Sequence, residues 1–391
     1  MFSLRGIAAL LSLPLVANFV NAAKHKAFVG REGAPDVFYT VEFDDEALTL
    51  ELAANTSVPT PGGFVAFNFD KTTLYSTVQD YGTNGAGSTN LSVPVLTSYS
   101  IDADGNLTPS GELYATSDNA DTFGSGVWVA ANFAPPYEVH MISLNKDNKS
   151  GHIVMSVDAN GSLKETSQTF VFGNTSYLHG GTFHPTMKWV YILDVDQNMI
   201  FTYSTNNGSV EYVANFTLPY PVDGPRHAIV HPNGQKLYLV TENSNHLAAF
   251  NIDLETGLPT GEGMVYYSML QEGEDASLFW CSEVMLSPSN SLLWAANRGR
   301  VDGRNGSISL FTLDDEGEVE KQNFLINTTT SGGLANLVAP VLFSDRYIAL
   351  PDLEVGFVEM WELAEDNSTA TIIAHLDLAD GGCCENVIWW S

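Results

Sequence analysis

The sequence predicts an all-β fold built from seven copies of one unit, and three observations predict it. A turn recurs after a β-rich run, with the run ending at Asp44, Asp102, Asp158, Ser204, Asp253, Asp314 and Ala364 at intervals of 46 to 61 residues. An aromatic-centred strand recurs in step with it, at Phe28, Tyr75, Trp128, Tyr191, Tyr238, Trp294 and Tyr347. Runs of alternating aromatic and β-branched residues are bounded by Gly, Asn and Asp clusters, and no segment sustains a capped period of 3.6. Once a 22-residue leader is removed, 369 residues remain, about 53 per unit. That length suits a four-stranded antiparallel blade, and radial repetition of blades protects sheet edges. The expected architecture is a seven-bladed β-propeller.

The elements follow in chain order. Arg5, the apolar stretch from Gly6 to Val20 and the small-residue site Val20-Asn21-Ala22 read as a secretory leader over residues 1–22. Residues 23–391 are then expected to form one propeller domain, beginning with the strand around Phe28. Asp80 to Leu91, rich in Gly and Ser, reads as a long loop over one face. Asp102-Ala103-Asp104-Gly105 begins like a calcium loop but lacks the later ligands, so a hairpin turn is the better reading. The last run, Glu385 to Trp390, is expected to close the ring by pairing with the N-terminal blade.

Composition narrows the function. The chain carries 16 Lys+Arg against 46 Asp+Glu, a formal charge of −30, which repels phosphate backbones and anionic lipid. Nucleic acid and membrane insertion are therefore not expected as partners. Sequons at Asn55, Asn90, Asn106, Asn148, Asn160, Asn174, Asn207, Asn215, Asn305, Asn327 and Asn367 agree with export, and a secreted, extracellular or cell-wall glycoprotein is expected. Cys281, Cys383 and Cys384 fit no zinc spacing, so no metal is expected; either Cys281 bridges to one of the C-terminal pair or it is a buried free thiol.

Three consecutive repeats share a sharper pattern. Leu178-His179-Gly180 precedes His184-Pro185, Pro225-Arg226-His227 precedes His231-Pro232, and Ser282-Glu283 precedes Ser287-Pro288 and then Asn297-Arg298. Counted outward from each turn, Arg226 matches Glu242, Glu283 matches Arg298 and His179 matches Asp194, so antiparallel register predicts three side-by-side pairs at one channel mouth. One reading makes these register-fixing salt bridges, worth about 0 to 1 kcal/mol each. The other is acid–base chemistry on a small anionic substrate, because imidazole, guanidinium and carboxylate groups converge from different blades. Strand alternation points His227 away from the side of Arg226, and His184 and His231 read as structural at the far end. Arg300 and Arg304 lie in a loop that either reaches over the mouth or is solvated. No nucleotide fingerprint, Gly-x-Ser-x-Gly elbow or zincin motif is present.

The motifs from Leu178 to Pro185, Gly224 to Gly234, and Ser282 to Pro288 with Ala296-Asn297-Arg298-Gly299 resemble the lactonase family of seven-bladed propellers, which includes fungal carboxymuconate cyclases and bacterial 6-phosphogluconolactonases. The resemblance implies a ligand over the channel mouth with no cofactor. It implies His179 as general acid or base, Arg226 and Arg298 as carboxylate clamps, and Glu242 and Glu283 as groups that orient the clamps and tune the histidine. His227, Asp194 and Asn297 complete the expected substrate-binding set. Tyr177 stands where family members often have a further histidine, and Thr241 replaces an asparagine. Two functions are expected to compete: a secreted cyclase or lactonase, and a non-catalytic secreted or cell-wall glycoprotein that binds host or matrix ligands.

Overall fold

The computed structural model describes residues 23–31, 37–58, 62–78, 94–114, 123–145, 150–206, 208–301, 303–331, 337–378 and 383–391. The expected leader over 1–22, the loop from Asp80 to Leu91 and the sequons at Asn90, Asn148 and Asn207 lie outside them.

Seven four-stranded antiparallel sheets form a ring, and no α-helix occurs among the described residues. From the inner strand outward, blade 2 comprises Gly62–Phe67, Thr73–Val78, Pro94–Ile101 and Leu107–Tyr114. Blade 3 comprises Phe123–Ala131, Val139–Asn145, Ser150–Val157 and Leu163–Val171. Blade 4 follows with Leu178–Phe183, Trp189–Asp194, Met199–Asn206 and Ser209–Thr217, and blade 5 with Pro225–Val230, Lys236–Thr241, His246–Ile252 and Pro259–Ser268. Blade 6 has Phe279–Leu286, Leu292–Gly299, Ser307–Leu313 and Val319–Asn327, and blade 7 Ala339–Pro340, Tyr347–Asp352, Phe357–Leu363 and Ala370–Asp377. Blade 1 joins both ends of the chain: Cys383–Trp389 lies beside Lys24–Arg31, followed by Val37–Asp44 and Thr49–Ser57. The closing strand pairs Ile388 with Phe28 and Val387 with Val29, as the sequence predicts.

Both ladders have a physical role in this ring. At the five Asp positions of the turn ladder the carboxylate accepts the backbone N–H groups that follow: Asp102 Oδ1 takes those of Asp104 and Asn106, each at 2.9 Å, and Asp314 Oδ1 those of Glu316 and Glu318. These are hairpin turns, and no His/Cys/Asp/Glu group suited to a metal ion occurs among the described residues. The aromatic ladder fills the core between blades and latches them. Tyr75 Oη donates to Gly161 O of blade 3 at 2.6 Å, Tyr191 to Gly257 O of blade 5 at 2.8 Å, and Tyr238 to Gly317 O of blade 6. Gly317 sits at φ 83°, and a Cβ there would lie 2.8 Å from the Tyr238 hydroxyl. Both conditions select glycine. At the same end His184 Nε2 meets Gly234 O of the next blade at 3.1 Å, and His231 Nε2 meets Asn290 O, which is the structural role expected of them.

Candidate active site

The inner strands of blades 4, 5 and 6 each carry one extra residue at their first turn of pairing. Leu178 pairs with Asp194 and Gly180 with Leu193, leaving His179 as the extra residue. Pro225 pairs with Thr241 and His227 with Val240, leaving Arg226. Cys281 pairs with Asn297 and Glu283 with Ala296, leaving Ser282. Such a bulge breaks strand alternation and re-aims side chains. Three expectations, one from strand alternation and two from symmetric counting, change for this one reason.

First, His227 does not turn away from Arg226: the two side chains approach to 3.4 Å, and the His227 ring lies 5.1 Å from that of His179. Phe64, from the inner strand of blade 2, touches both rings, at 6.2 and 5.8 Å. Blade 2 is not a neighbour of blade 5 in the ring, so this cluster spans the channel. Second, Glu283 does not lie beside Arg298. Its Oε2 meets His227 Nδ1 at 3.0 Å, while Arg298 faces Trp280, its guanidinium 5.1 Å from the indole centre. Third, Asp194 does not meet His179. It is fully buried, accepting the N–H groups of Tyr177 and Gln197 and the hydroxyl of Ser176, and so it holds the turn that carries His179.

The expected Arg226–Glu242 pair is present. Arg226 Nε lies 2.7 Å from Glu242 Oε2, an ion pair whose N–H is not aligned as a hydrogen bond, and Arg226 Nη1 donates to Ser282 O. Arg298 reaches the same Glu242 oxygen at 3.5 Å. One carboxylate thus holds two guanidinium groups in place. Gly180 allows this packing: a Cβ there would lie 2.2 Å from Arg226 O and 2.5 Å from the His227 ring.

Asn297 lies outside the cluster. Its amide donates to Met269 O and accepts from Ser307 N, lining a neighbouring cavity of about 190 Å³ with Arg304 and Glu274. Arg300 is exposed and stacks 3.8 Å from the Trp280 ring centre, while Arg304 pairs with Glu274 at 2.9 Å. Cys281 is a buried free thiol whose pKa burial raises, the second of the two alternatives the sequence left open. The side chains of Cys383 and Cys384 lie outside the described residues.

Sequence reasoning passed over Phe64, Trp280 and the Ser282 carbonyl, and it read Tyr177 only as a departure from the family pattern. The Tyr177 ring lies 5.8 Å from that of His179. Trp280 had a signal, since it sits opposite Arg298 once the bulge is counted.

Electrostatics sets the protonation states. Burial pushes His179 well below the usual histidine range, and the charges of Arg226 and Arg298 add to this. Burial also lowers His227, against the opposing pull of Glu283. Both imidazoles are therefore neutral at pH 7. A carboxylate only accepts, so His227 donates its Nδ1–H to Glu283 and keeps the lone pair on Nε2. His227 Nε2 and His179 Nδ1 are buried and have no hydrogen-bond partner among the described residues. Two unpaired nitrogens in a buried cluster call for a polar ligand.

The family model for the seven-bladed β-propeller lactonases matches residues 28–332. The chain belongs to that family. It is 27% identical over 94% of its length to the carboxy-cis,cis-muconate cyclase of Neurospora crassa, 99% of which is covered. It is also 27% identical to muconate cycloisomerase 1 of Cutaneotrichosporon cutaneum, over 84% of this chain and 88% of that one. Among solved structures, the periplasmic gluconolactonase of Pseudomonas aeruginosa superposes with a TM-score of 0.74 at 17% identity, covering 94% of this chain and 99% of that one. That structural likeness speaks for the propeller fold of the lactonase family.

Proposed function

We propose that the protein is an exported lactonase-like enzyme that interconverts a small lactone and its open carboxylate at the mouth of the channel, by side-chain acid–base chemistry alone. The observation that carries this reading is His227: a buried neutral imidazole with Nδ1 on Glu283 and an unpartnered Nε2, beside two guanidinium groups. In ring opening, Nε2 takes a proton from water as the water oxygen bonds to the lactone carbonyl carbon. Charge developing on the carbonyl oxygen falls to N–H groups of Arg226 and Arg298. The ring C–O bond then breaks, and the leaving alkoxide takes the proton back from the imidazolium. In a cyclising reaction, His227 Nε2 first takes a proton from solvent, a substrate carboxylate adds to an alkene carbon, and the imidazolium passes that proton to the next carbon and returns to the neutral form. There the site's main contribution is a near-attack fold of the substrate.

The relatives support this choice of substrate class: one bears the name of a carboxymuconate cyclase, another that of a gluconolactonase. The leader-like N-terminus and eleven sequons support export. A panel of aliphatic and aromatic-derived lactones and muconates tests the reading. Turnover of at least one is expected, reduced about 100-fold or more in His227→Gln with the Tm nearly unchanged. If the wild type converts none of them, the enzymatic reading fails and the exported glycoprotein with a binding role replaces it. The eight sequons on described residues favour that second reading, since seven of their asparagines are exposed and Asn367 is half-buried.

A further inference from the structure

The end of the ring opposite the candidate active site carries a second cleft, of about 230 Å³, where the turns of blades 2 and 3 meet. Its walls include Phe69 and Tyr137, and Phe133 stands against Phe69 with ring centres 6.1 Å apart. These rings are 65%, 45% and 44% exposed respectively, a concentration of aromatic surface that a soluble protein rarely leaves open. Asn68, Asp70 and Asn132 add polar groups along the cleft. An apolar platform with a few polar groups at its edge suits a sugar ring, and the volume lies below the range of about 300 Å³ and upward typical of drug-sized ligands.

Asn160 also lines this cleft, and it begins the sequon Asn160-Gly161-Ser162. Its turn is docked rigidly on blade 2: Thr73 donates to Asn160 O, and Tyr75 donates to Gly161 O. The Asn160 side chain is oriented by the Ser162 N–H, which donates to its Oδ1 at 3.2 Å. The amide nitrogen makes no hydrogen bond among the described residues. At three other sequons the nitrogen is engaged, by Asp102 at Asn106, Met199 Sδ at Asn215 and Thr328 O at Asn305.

We propose that Asn160 carries an N-linked glycan whose first N-acetylglucosamine rings occupy this cleft and cover Phe69, Phe133 and Tyr137. The linkage forms between the asparagine Nδ2 and C1 of the first sugar of a lipid-linked donor, with the donor diphosphate leaving and one amide proton lost. The attached sugars then lie across the aromatic rings, with hydroxyl and acetamide groups toward Asn68, Asp70 and Asn132. The cleft is a receptacle for the chain's own glycan, distinct from the mouth where the substrate binds.

The test uses the full chain, leader included, secreted from a eukaryotic host. Glycopeptide mass spectrometry reads each sequon, and hydroxyl-radical footprinting reads the aromatic rings before and after enzymatic removal of glycans from the folded protein. Asn160 is expected to be occupied, and labelling of Phe69 and Phe133 is expected to rise about two-fold on removal, as when half of a ring's exposed face is uncovered. Tyr220, 57% exposed on another blade, serves as the unchanged control. Asn160→Gln should reproduce the rise without enzyme treatment. If other sequons are occupied and Asn160 is bare, the proposal is overturned. The same holds if Asn160 is occupied and the rings label equally before and after. If no sequon is occupied, both this proposal and the export reading fail. Protection of the rings by added chitobiose on a bare Asn160 assigns the cleft to an external sugar and also overturns the proposal.

Discussion

At the residue scale, the decisive contact is His227 Nδ1 to Glu283 Oε2, because it sets which imidazole nitrogen keeps its lone pair. Burial lowers the His227 pKa below its ordinary 6.5, and Glu283 pulls it partly back. On the proposed mechanism, kcat/KM falls as the pH drops through that lowered value and the base becomes protonated. Removing the carboxylate with Glu283→Gln removes the upward pull, so the acid limb moves to lower pH. It also leaves a weaker and less well oriented base, and kcat falls about 10-fold or more. A pH–rate profile with the acid limb unmoved assigns that limb to another group and counts against His227 as the base. Charged pairs in the three repeats were legible from spacing, since His179, Arg226, His227, Glu242, Glu283 and Arg298 all lie in the cluster or contact it. Of the three pairings, Arg226 with Glu242 was legible and the other two were not. Counting outward from each turn assumes an unbroken ladder, and the extra residues at His179 and Ser282 shift the pairs of blades 4 and 6.

At the element scale, the three bulged inner strands build the site, and Gly180 sets how closely two of them pack. An added methyl at Gly180 meets the Arg226 carbonyl at 2.2 Å, and backbone cannot yield as a flexible side-chain end can. Gly180→Ala should therefore displace His227 from Glu283 and lower kcat/KM about 100-fold, in keeping with the sensitivity of catalysis to displacements of about 1 Å. The loss of stability should be about 1 to 3 kcal/mol, as for an overpacked position. Full activity in a folded Gly180→Ala protein would show that the approach of blades 4 and 5 does not position the base. Strand existence and the repeat were readable because one blade is one supersecondary unit with a fixed alternation. The bulges were hidden, because an inserted residue keeps the local composition and alters only the pairing.

At the scale of the whole molecule, buried histidines link stability to pH. His140 and His152 are fully buried, with His140 Nδ1 3.0 Å from His152 Nε2 and no acidic partner closer than Glu138 at 4.0 Å from His140. Burial lowers both, His152 to about 3. The unfolded chain therefore binds more protons than the folded one below the ordinary value of about 6.5. Stability should be level above that pH and decline as the pH falls through it, with the His152 share of the loss continuing to about 3. The slope is at most about 1.4 kcal/mol per pH unit for each such group. Urea midpoints from pH 8 to 4 measure it, and His152→Gln should flatten the curve; an equal slope in the variant places the acid sensitivity elsewhere. The charge of −30 sharpens the view of the mouth as well. Arg226 and Arg298 do concentrate there, but Glu242 and Glu283 offset them, so an anion would be held by aligned donors and not by excess positive charge. By itself the sequence determined the all-β class, the seven repeats and the closure of the ring, and it pointed to three repeats whose His179, Arg226, His227, Glu242, Glu283 and Arg298 come together, because these depend on periodicity and turn chemistry that recur locally. Only the tertiary structure decided that Glu283 meets His227, that Phe64 reaches across the channel, and that Cys281 stays a free thiol. Those contacts join blades far apart in the chain, and their geometry depends on bulges and inter-blade packing that leave no local periodic trace.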